Sequence, residues 1–358
     1  MRIAFGICSW GLGHATRTLP IIRRFIKEGD DVVVVSHGGA LSLLRTELDG
    51  GARFYDLEDY EPPSTQNSNL VALEAFASIP KYVSAVKREH DFVERMLAND
   101  KIDAIFSDNR FGFYSIRVPS FYMTHQLRIM NPLRSRFLES VTERLGEWLL
   151  NRLTGLIVPD FKSDGLSGRL AHGLSVIDER DVHYIGALSD FERRSSDEDV
   201  DLFASVSGPE PQRSAFERLV LEQLEGFEGR AIISLGKKAE TKVLGNIEIR
   251  GLTGKKERED LLSRSKVVIS RSGYSTIMDM CALGRRSLLV PTPGQTEQEY
   301  LAQYHMSRGS YFCVSENDLD VRNQIGEVSS WNPPKLQHSI ARTVENALGI
   351  ITQTARAG

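Results

Sequence analysis

The chain has 358 residues, 41% hydrophobic and 26% charged, with 44 basic and 48 acidic side chains and a net charge of −4. That length suits two globular domains, and the charge balance offers no basic field for a nucleic-acid partner. Cys8, Cys281 and Cys313 lack metal spacing and read as reduced core residues of a cytoplasmic protein; no run reaches the about 18 apolar residues of a membrane span, so any membrane contact is expected to be peripheral, on the inner face of the plasma membrane.

Residues 2–8 predict a buried strand, and 11–28 an amphipathic helix with Leu19, Ile22, Phe25 and Ile26 on one face. Ser9-Trp10-Gly11-Leu12-Gly13-His14-Ala15-Thr16-Arg17 joins them. Gly11 and Gly13 permit a tight turn and close approach of a ligand. His14, at the helix start, can take a proton from an acceptor hydroxyl near neutral pH, or can simply hydrogen-bond the turn. Thr16 stands where the dinucleotide fingerprint has its third glycine, and His37-Gly38-Gly39 stands where a ribose-binding acid would follow the second strand. A nicotinamide dinucleotide is therefore disfavoured.

Residues 31–36 are an apolar run of parallel-sheet type, Gly38-Gly39 opens a second helix, and 52–57 is a third strand. Residues 59–69, with Pro62-Pro63, read as a loop, and 70–99 as a long helix broken before Pro80. Further strands are expected at 102–107, 120–124 and 155–159. Asp108, Asn109 and Arg110 follow the first of these, and His125 and Gln126 the second. With Gly11, Gly13 and Arg17 they form an acceptor-side group, either contacting ligand or supporting the site from beneath. Residues 127–153 space Phe137, Val141, Leu145, Trp148 and Leu149 helically among Arg128, Arg134, Arg136, Arg144 and Arg152. This is a core-facing stripe with a solvated basic face, or an interfacial helix on anionic lipid.

Residues 190–201 are charged and poor in apolar side chains, and read as a linker. The alternation restarts with strands at 203–207, 231–235, 246–251 and 266–270 and helices at 213–224 and 256–264. Ser207, Gly208 and Arg213, around the first helix start, can cradle a phosphate or merely cap the helix. Ser272, Gly273, Tyr274, Ser275 and Thr276 fall at another helix start, where amides and helix dipole favour a pyrophosphate. Asp279 can accept ribose hydroxyls, or complete a capping-box spacing with Thr276. After a strand at 287–290, Glu297 and Gln298 open a helix as readers of sugar hydroxyls, while Glu299 has capping-box spacing from Thr296. A last helix covers 337–349.

The pattern predicts an α/β chain of two Rossmann-like, doubly wound parallel-sheet domains facing across a cleft. The expected divisions are an acceptor domain at 1–189, a linker at 190–201, a nucleotide-sugar domain at 202–335, and a C-terminal segment, 336–358, whose helix can return to the first domain.

At these residues the chain resembles the GT-B glycosyltransferases, in particular the MurG-type (family 28) enzymes and their relatives. The resemblance rests on Gly13-His14, on Arg271-Ser272-Gly273-Tyr274-Ser275-Thr276-Ile277-Met278-Asp279, on Leu288-Leu289-Val290-Pro291 and on Gln298-Glu299. It implies metal-independent, inverting transfer from a UDP-sugar, GlcNAc-type favoured, onto a glycan or lipid-linked hydroxyl, without a cofactor. It also implies that the nucleotide sits on the second domain and the acceptor on the first. Asp279 replaces the glutamate of that pattern, Glu299 replaces its second glutamine, and only His125-Gln126 echoes its His-Glu-Gln-Asn loop. Two other readings stay open: a UDP-sugar 2-epimerase on the same fold, whose usual first-loop Gly-Thr-Arg-Pro-Glu is absent, and a non-catalytic nucleotide-sugar or glycolipid-binding protein.

Overall fold

In the computed structural model, residues 1–60, 71–131, 135–194 and 196–357 are described, so the Pro62-Pro63 loop lies outside them. The chain divides into two compact units, Met1–Asp190 with Gln337–Gly358, and Phe191–Leu336.

In the first unit, β1 (Arg2–Ile7), β2 (Asp31–Ser36), β3 (Arg53–Asp56), β4 (Ala104–Asp108), β5 (Ser120–Met123), β6 (Gly155–Val158) and β7 (Val182–Tyr184) form one sheet. Its order is β3-β2-β1-β4-β5-β6-β7. Every pairing is parallel. Helices α1 (Gly13–Lys27), α2 (Gly38–Leu48), α3 (Val71–Asn99) and α4 (Arg136–Leu150) lie between the strands. Central strands with helices on both faces have no solvated side, which explains the unbroken valine run of β2. Phe5 meets Phe25 of α1 edge-on on one face, while Ala4, Val33, Val35 and Ile105 pack with Val93 and Met96 of α3 on the other. Pro80 lies within α3 rather than after a break: the ring removes one backbone donor, and the helix continues.

The second unit repeats the winding. Strands β8 (Val200–Ser205), β9 (Ala231–Ser234), β10 (Lys242–Leu244), β11 (Ile247–Arg250), β12 (Ser265–Ser270), β13 (Ser287–Leu289) and β14 (Phe312–Cys313) run in the order β10-β11-β9-β8-β12-β13-β14. Only the β10–β11 pairing is antiparallel among these described pairs. Helices α5 (Gln212–Leu224), α6 (Lys255–Arg264), α7 (Tyr274–Leu283), α8 (Thr296–Ser307) and α9 (Val321–Val328) cover it. Phe216, Val220 and Leu224 of α5 pack with Val321 and Val328 of α9 on Leu202, Ala204, Ile233 and Ile269. The charged segment after Asp190 is not a bare linker. Glu192 N donates to Glu259 of α6 at 2.7 Å, and Ser196 Oγ to the Ser263 carbonyl at 2.7 Å.

The final helix, α10 (Ile340–Ala357), belongs to the first unit. His338 lies 3.0 Å from the Ile185 carbonyl, and Asn346 donates to the same oxygen at 3.1 Å.

Two residues of the expected core-facing stripe of α4, Phe137 and Val141, lie outward. Glu139 and Glu143, one turn apart, are buried, whereas Phe137 is 74% exposed and Val141 is 40% exposed. Glu143 accepts from the backbone amides of Ser175 and Val176 at 2.6 Å each and from Arg128 at 3.2 Å. Glu139 pairs with Arg169 at 2.6 Å. Satisfying two carboxylates therefore sets which face turns inward, and Phe137 is left in solvent beside exposed Arg136 and Arg144. The expectations for Arg134 and for the side chains of Leu145, Trp148 and Leu149 lie outside what is described.

Gly6 of β1 lies directly beneath the buried Phe113 ring: a Cβ there would be 2.3 Å from Phe113 Cγ. Gly6→Ala is expected to cost about 1–3 kcal/mol through overpacking. Urea unfolding checks this, and an unchanged midpoint would show that the ring can move aside.

Candidate active site

In a doubly wound sheet, ligands bind beyond the carboxyl ends of the strands, where the winding reverses. In the first unit that point lies between β1 and β4, whose ends pair at Ile7 and Asp108. Asp108 has no exposed surface. Its Oδ2 accepts from Arg17 Nε at 2.9 Å and from Thr18 Oγ1 at 2.6 Å. Its Oδ1 accepts from Arg17 Nη2 and lies 2.9 Å from His14 Nδ1. Arg17 Nη1 also lies 3.1 Å from His125 Nδ1. Helical spacing puts His14 and Arg17 one turn apart on α1 and points both at the end of β4.

Burial raises the Asp108 carboxyl, but the charges of Arg17 and His14 and their hydrogen bonds outweigh it and hold the group well below the usual carboxylate range. The His14 imidazole is pushed the opposite way from a simple His-Asp pair. Burial, then the Arg17 charge, lower its pKa, and together they overcome the attraction of Asp108. His14 remains 14% exposed, so the ring has a path to a ligand.

The remaining acceptor-side residues separate into two sets. Gly11, at φ 84°, makes the turn that only glycine adopts without strain, and Gly13 starts α1. Asn109 accepts from the Tyr122 hydroxyl at 3.1 Å, and the Gln126 amide donates to Thr124 Oγ1 at 3.1 Å. Arg110 faces no ligand space: it is fully buried, pairs with Glu89 of α3, and donates to the Leu57 carbonyl at 3.0 Å. It braces the loop after β3 against α3. Thr18, Asp59 and Glu89 are partners that the sequence reading does not single out. Asp59 accepts from both the amide and the hydroxyl of Ser9, at 2.6 and 2.7 Å, which pins the glycine turn. Such pairings, between residues 21 to 90 positions apart, leave no local pattern.

In the second unit the reversal lies between β8 and β12, paired at Ser205 and Ser270. The loop after β8 carries Ser207 and Gly208, the latter at φ 114°, and leads to α5. The loop after β12 leads to α7, whose N-cap is Gly273, a residue with no side chain of its own to cap the first turn. A Cβ built on Gly273 meets nothing within 4 Å. A helix start with a glycine cap and open space beside it suits an anion. Ser275, Thr276 and Asp279 are partly buried along α7, and Tyr274 is buried.

Several expectations for this unit change. Ser272 is fully buried and turns inward, its hydroxyl donating to the Gln298 carbonyl at 2.9 Å. Gln298 does not reach outward: Oε1 accepts from the Thr292 amide at 2.9 Å and Nε2 donates to Gln295 at 2.5 Å, so it closes the loop between β13 and α8. Glu297 lies partly buried in the first turn of α8. Neither capping box forms, because Thr276 and Thr296 sit inside their helices; the N-caps are Gly273 and Gln295. Glu299 instead accepts from the Gly294 amide at 2.9 Å. Arg213 pairs with Glu210 and donates to the Leu235 carbonyl at 3.2 Å, so its guanidinium is already engaged.

Arg271 holds this edge together. Only 3% exposed, it stacks on Phe216 with its guanidinium carbon 3.9 Å from the ring centroid. It donates to the carbonyls of Pro291 at 3.2 Å and Gln212 at 3.4 Å, and pairs with Glu316 at 2.6 Å. One side chain thus ties together the starts of α5 and α7 and the loops after β13 and β14. Burial lowers its pKa and the Glu316 carboxylate raises it, with burial prevailing.

Residues 215–350 match the glycosyltransferase family 28 C-terminal domain, a span that includes the start of α7 and the loop before α8. A relative from Desulforudis audaxviator, a UDP-N-acetylglucosamine--N-acetylmuramyl-(pentapeptide) pyrophosphoryl-undecaprenol N-acetylglucosamine transferase, is 33% identical over 127 residues. The match spans 35% of this chain and 33% of that relative. Over nearly full length the fold is similar to the glycotransferase of kitacinnamycin, with TM-score 0.64 at 14% identity, covering 99% of this chain and 95% of that one. It is also similar to MurG of Acinetobacter baumannii, with TM-score 0.60 at 12% identity, covering 98% and 99%. Two parallel-sheet units of the same winding thus share the GT-B fold of these glycosyltransferases, and residues 215–350 of the second match the family 28 C-terminal domain.

Proposed function

We propose that the protein transfers a sugar from a nucleotide-sugar to an acceptor hydroxyl, with the nucleotide diphosphate at the start of α7 and the acceptor at His14. The observation that carries this is the Gly273 helix start: its cap residue is a glycine with open space where a Cβ would stand, it opens at the winding reversal of its sheet, and it lies inside the matched family 28 domain. Its amides and dipole suit the diphosphate and the charge that develops on it as the sugar leaves, without calling on a metal ion. UDP-N-acetylglucosamine is the donor to try first, since the Desulforudis relative is named for it. The acceptor oxygen attacks the anomeric carbon in a single inverting displacement as His14 takes its proton. A lipid-linked hydroxyl fits the name of that relative, and a glycan hydroxyl meets the same chemistry.

Peripheral contact with anionic membrane belongs to the same reading. Exposed Phe137 and Val141 on α4, with exposed Arg136 and Arg144 beside them, combine an apolar face with cations. No described helix is long and apolar enough to cross a membrane.

The donor site is tested by calorimetry with UDP and UDP-N-acetylglucosamine. Gly273 has ordinary extended backbone, so Gly273→Val is expected to fold normally while covering the helix start. A tenfold or greater loss of affinity, about 1.4 kcal/mol, is expected; undiminished binding places the nucleotide elsewhere. His14→Ala is expected to lower transfer by about 10²–10⁴-fold with nucleotide affinity intact. Near wild-type turnover in that variant would remove His14 from the chemistry. Flotation with vesicles of anionic lipid should carry the protein upward, and Phe137→Ser should reduce the floated fraction. No flotation of the wild-type chain would set the membrane reading aside.

A further inference from the structure

Among the described residues, three charged or titratable groups from three elements act electrostatically on the His14 ring. Arg17 comes from the next turn of α1, Asp108 from the end of β4, and His125 from the segment after β5. Asp108 Oδ1 lies 2.9 Å from His14 Nδ1. An ionised carboxylate only accepts, so the proton between them belongs to Nδ1, and Nε2 keeps its lone pair. Arg17 Nη2 lies 2.9 Å from the same Nδ1. A protonated Nδ1 cannot accept, so Arg17 Nε and Nη2 donate to the two Asp108 oxygens while Nη1 lies against His125, and the guanidinium charge faces the His14 ring without bonding it. Arg17 and Asp108 already cancel one another with 2% and 0% of their side chains exposed. A protonated His14 would add an unbalanced cation 2.9 Å from the guanidinium. A histidine facing a carboxylate alone has the reverse bias, because the carboxylate then favours the imidazolium.

We propose that Arg17 is a positioning residue for the transfer reaction: by neutralising Asp108 and facing Nδ1, it holds His14 as the neutral, Nδ1-protonated tautomer with Nε2 ready to accept a proton. This rests on His14 as the base of the proposed reaction. In that step the acceptor oxygen bonds to the anomeric carbon. The bond from that carbon to the diphosphate oxygen breaks, its electron pair leaving with the nucleoside diphosphate. The acceptor proton moves to Nε2. The imidazolium so formed is repelled by Arg17, which favours passing the proton on to solvent and resetting the base. The site therefore stays competent in mild acid, where an ordinary histidine is half protonated at about pH 6.5.

The test follows the His14 ring proton by NMR across pH in the full chain, with the resonance assigned by its loss in His14→Asn. The wild-type midpoint is expected below about 6.5. Arg17→Gln should raise it by about one pH unit or more, since Asp108 is then free to favour the imidazolium. Asp108→Asn should move it further down, and Arg17→Lys, which keeps the charge, should stay near wild type. Variants whose site merely collapses would all converge on about 6.5, so loss of structure is distinguishable from loss of Arg17. An unshifted midpoint in Arg17→Gln, or shifts of the same sign in Arg17→Gln and Asp108→Asn, overturns the proposal and leaves transfer itself standing. The acid limb of kcat/KM against pH should move with the ring midpoint. If the ring shifts as expected while the acid limb stays in place, His14 is not the base, and the positioning role falls with it.

Discussion

A carboxylate with no exposed surface closes β4, and the working edge of the first unit is arranged around it. An ionised group there is tolerable only if its lone pairs are met, and removing one partner of such a buried pair typically costs about 3–5 kcal/mol. Arg17 supplies two donors, Thr18 one, and His14 the fourth contact. All three come from the first two turns of α1, so the helix can enter its sheet in only one rotation. The same requirement that orients α1 also places His14 at the reversal of the sheet. Stability and site geometry are here one constraint, and the Gly11 turn is the backbone freedom that allows it.

The second unit meets the equivalent reversal differently. Its buried cation, Arg271, lies just after β12 and satisfies carbonyls from two other segments and the Glu316 carboxylate from a third. The donors of that guanidinium point into the loops, and the helix start beside it is left with glycine. One winding thus yields two unlike edges: one filled by mutually satisfied charges with a single accessible imidazole, the other braced from below and open at its helix start. Reaction chemistry suits the first and anion binding the second.

The parallel fold was legible because its signals are local. Valine-rich runs, glycine turns and helical periodicity each occupy fewer than about 20 residues and report burial on both faces. Elements with weak local signals escaped: β14 is two residues long, and the three residues of β10 are all exposed. In the site, the motif residues were legible as a cluster of the right chemical types, but their orientations were not. Gln298 reads as a sugar contact until its side chain is seen closing its own loop. Arg110 is indistinguishable from a ligand-facing arginine until Glu89 is found beneath it. Phe137 and Val141 of α4 read as core-facing until Glu139 and Glu143 are found buried in their place, satisfied by Arg169 and the Val176 amide.

The amino-acid sequence by itself determined the α/β class, the two Rossmann-like halves and the residue types gathered at the strand ends. These follow from hydrophobic patterning and turn chemistry, which act over short stretches of chain. Only the tertiary structure decided which polar groups are consumed in holding loops together and which keep a face toward a ligand. It also decided that Arg17 and His14 meet the same oxygen of Asp108. Those outcomes depend on charges brought within 3 Å from positions about 90 residues apart, and electrostatics at that range is set by geometry and burial rather than by spacing along the chain.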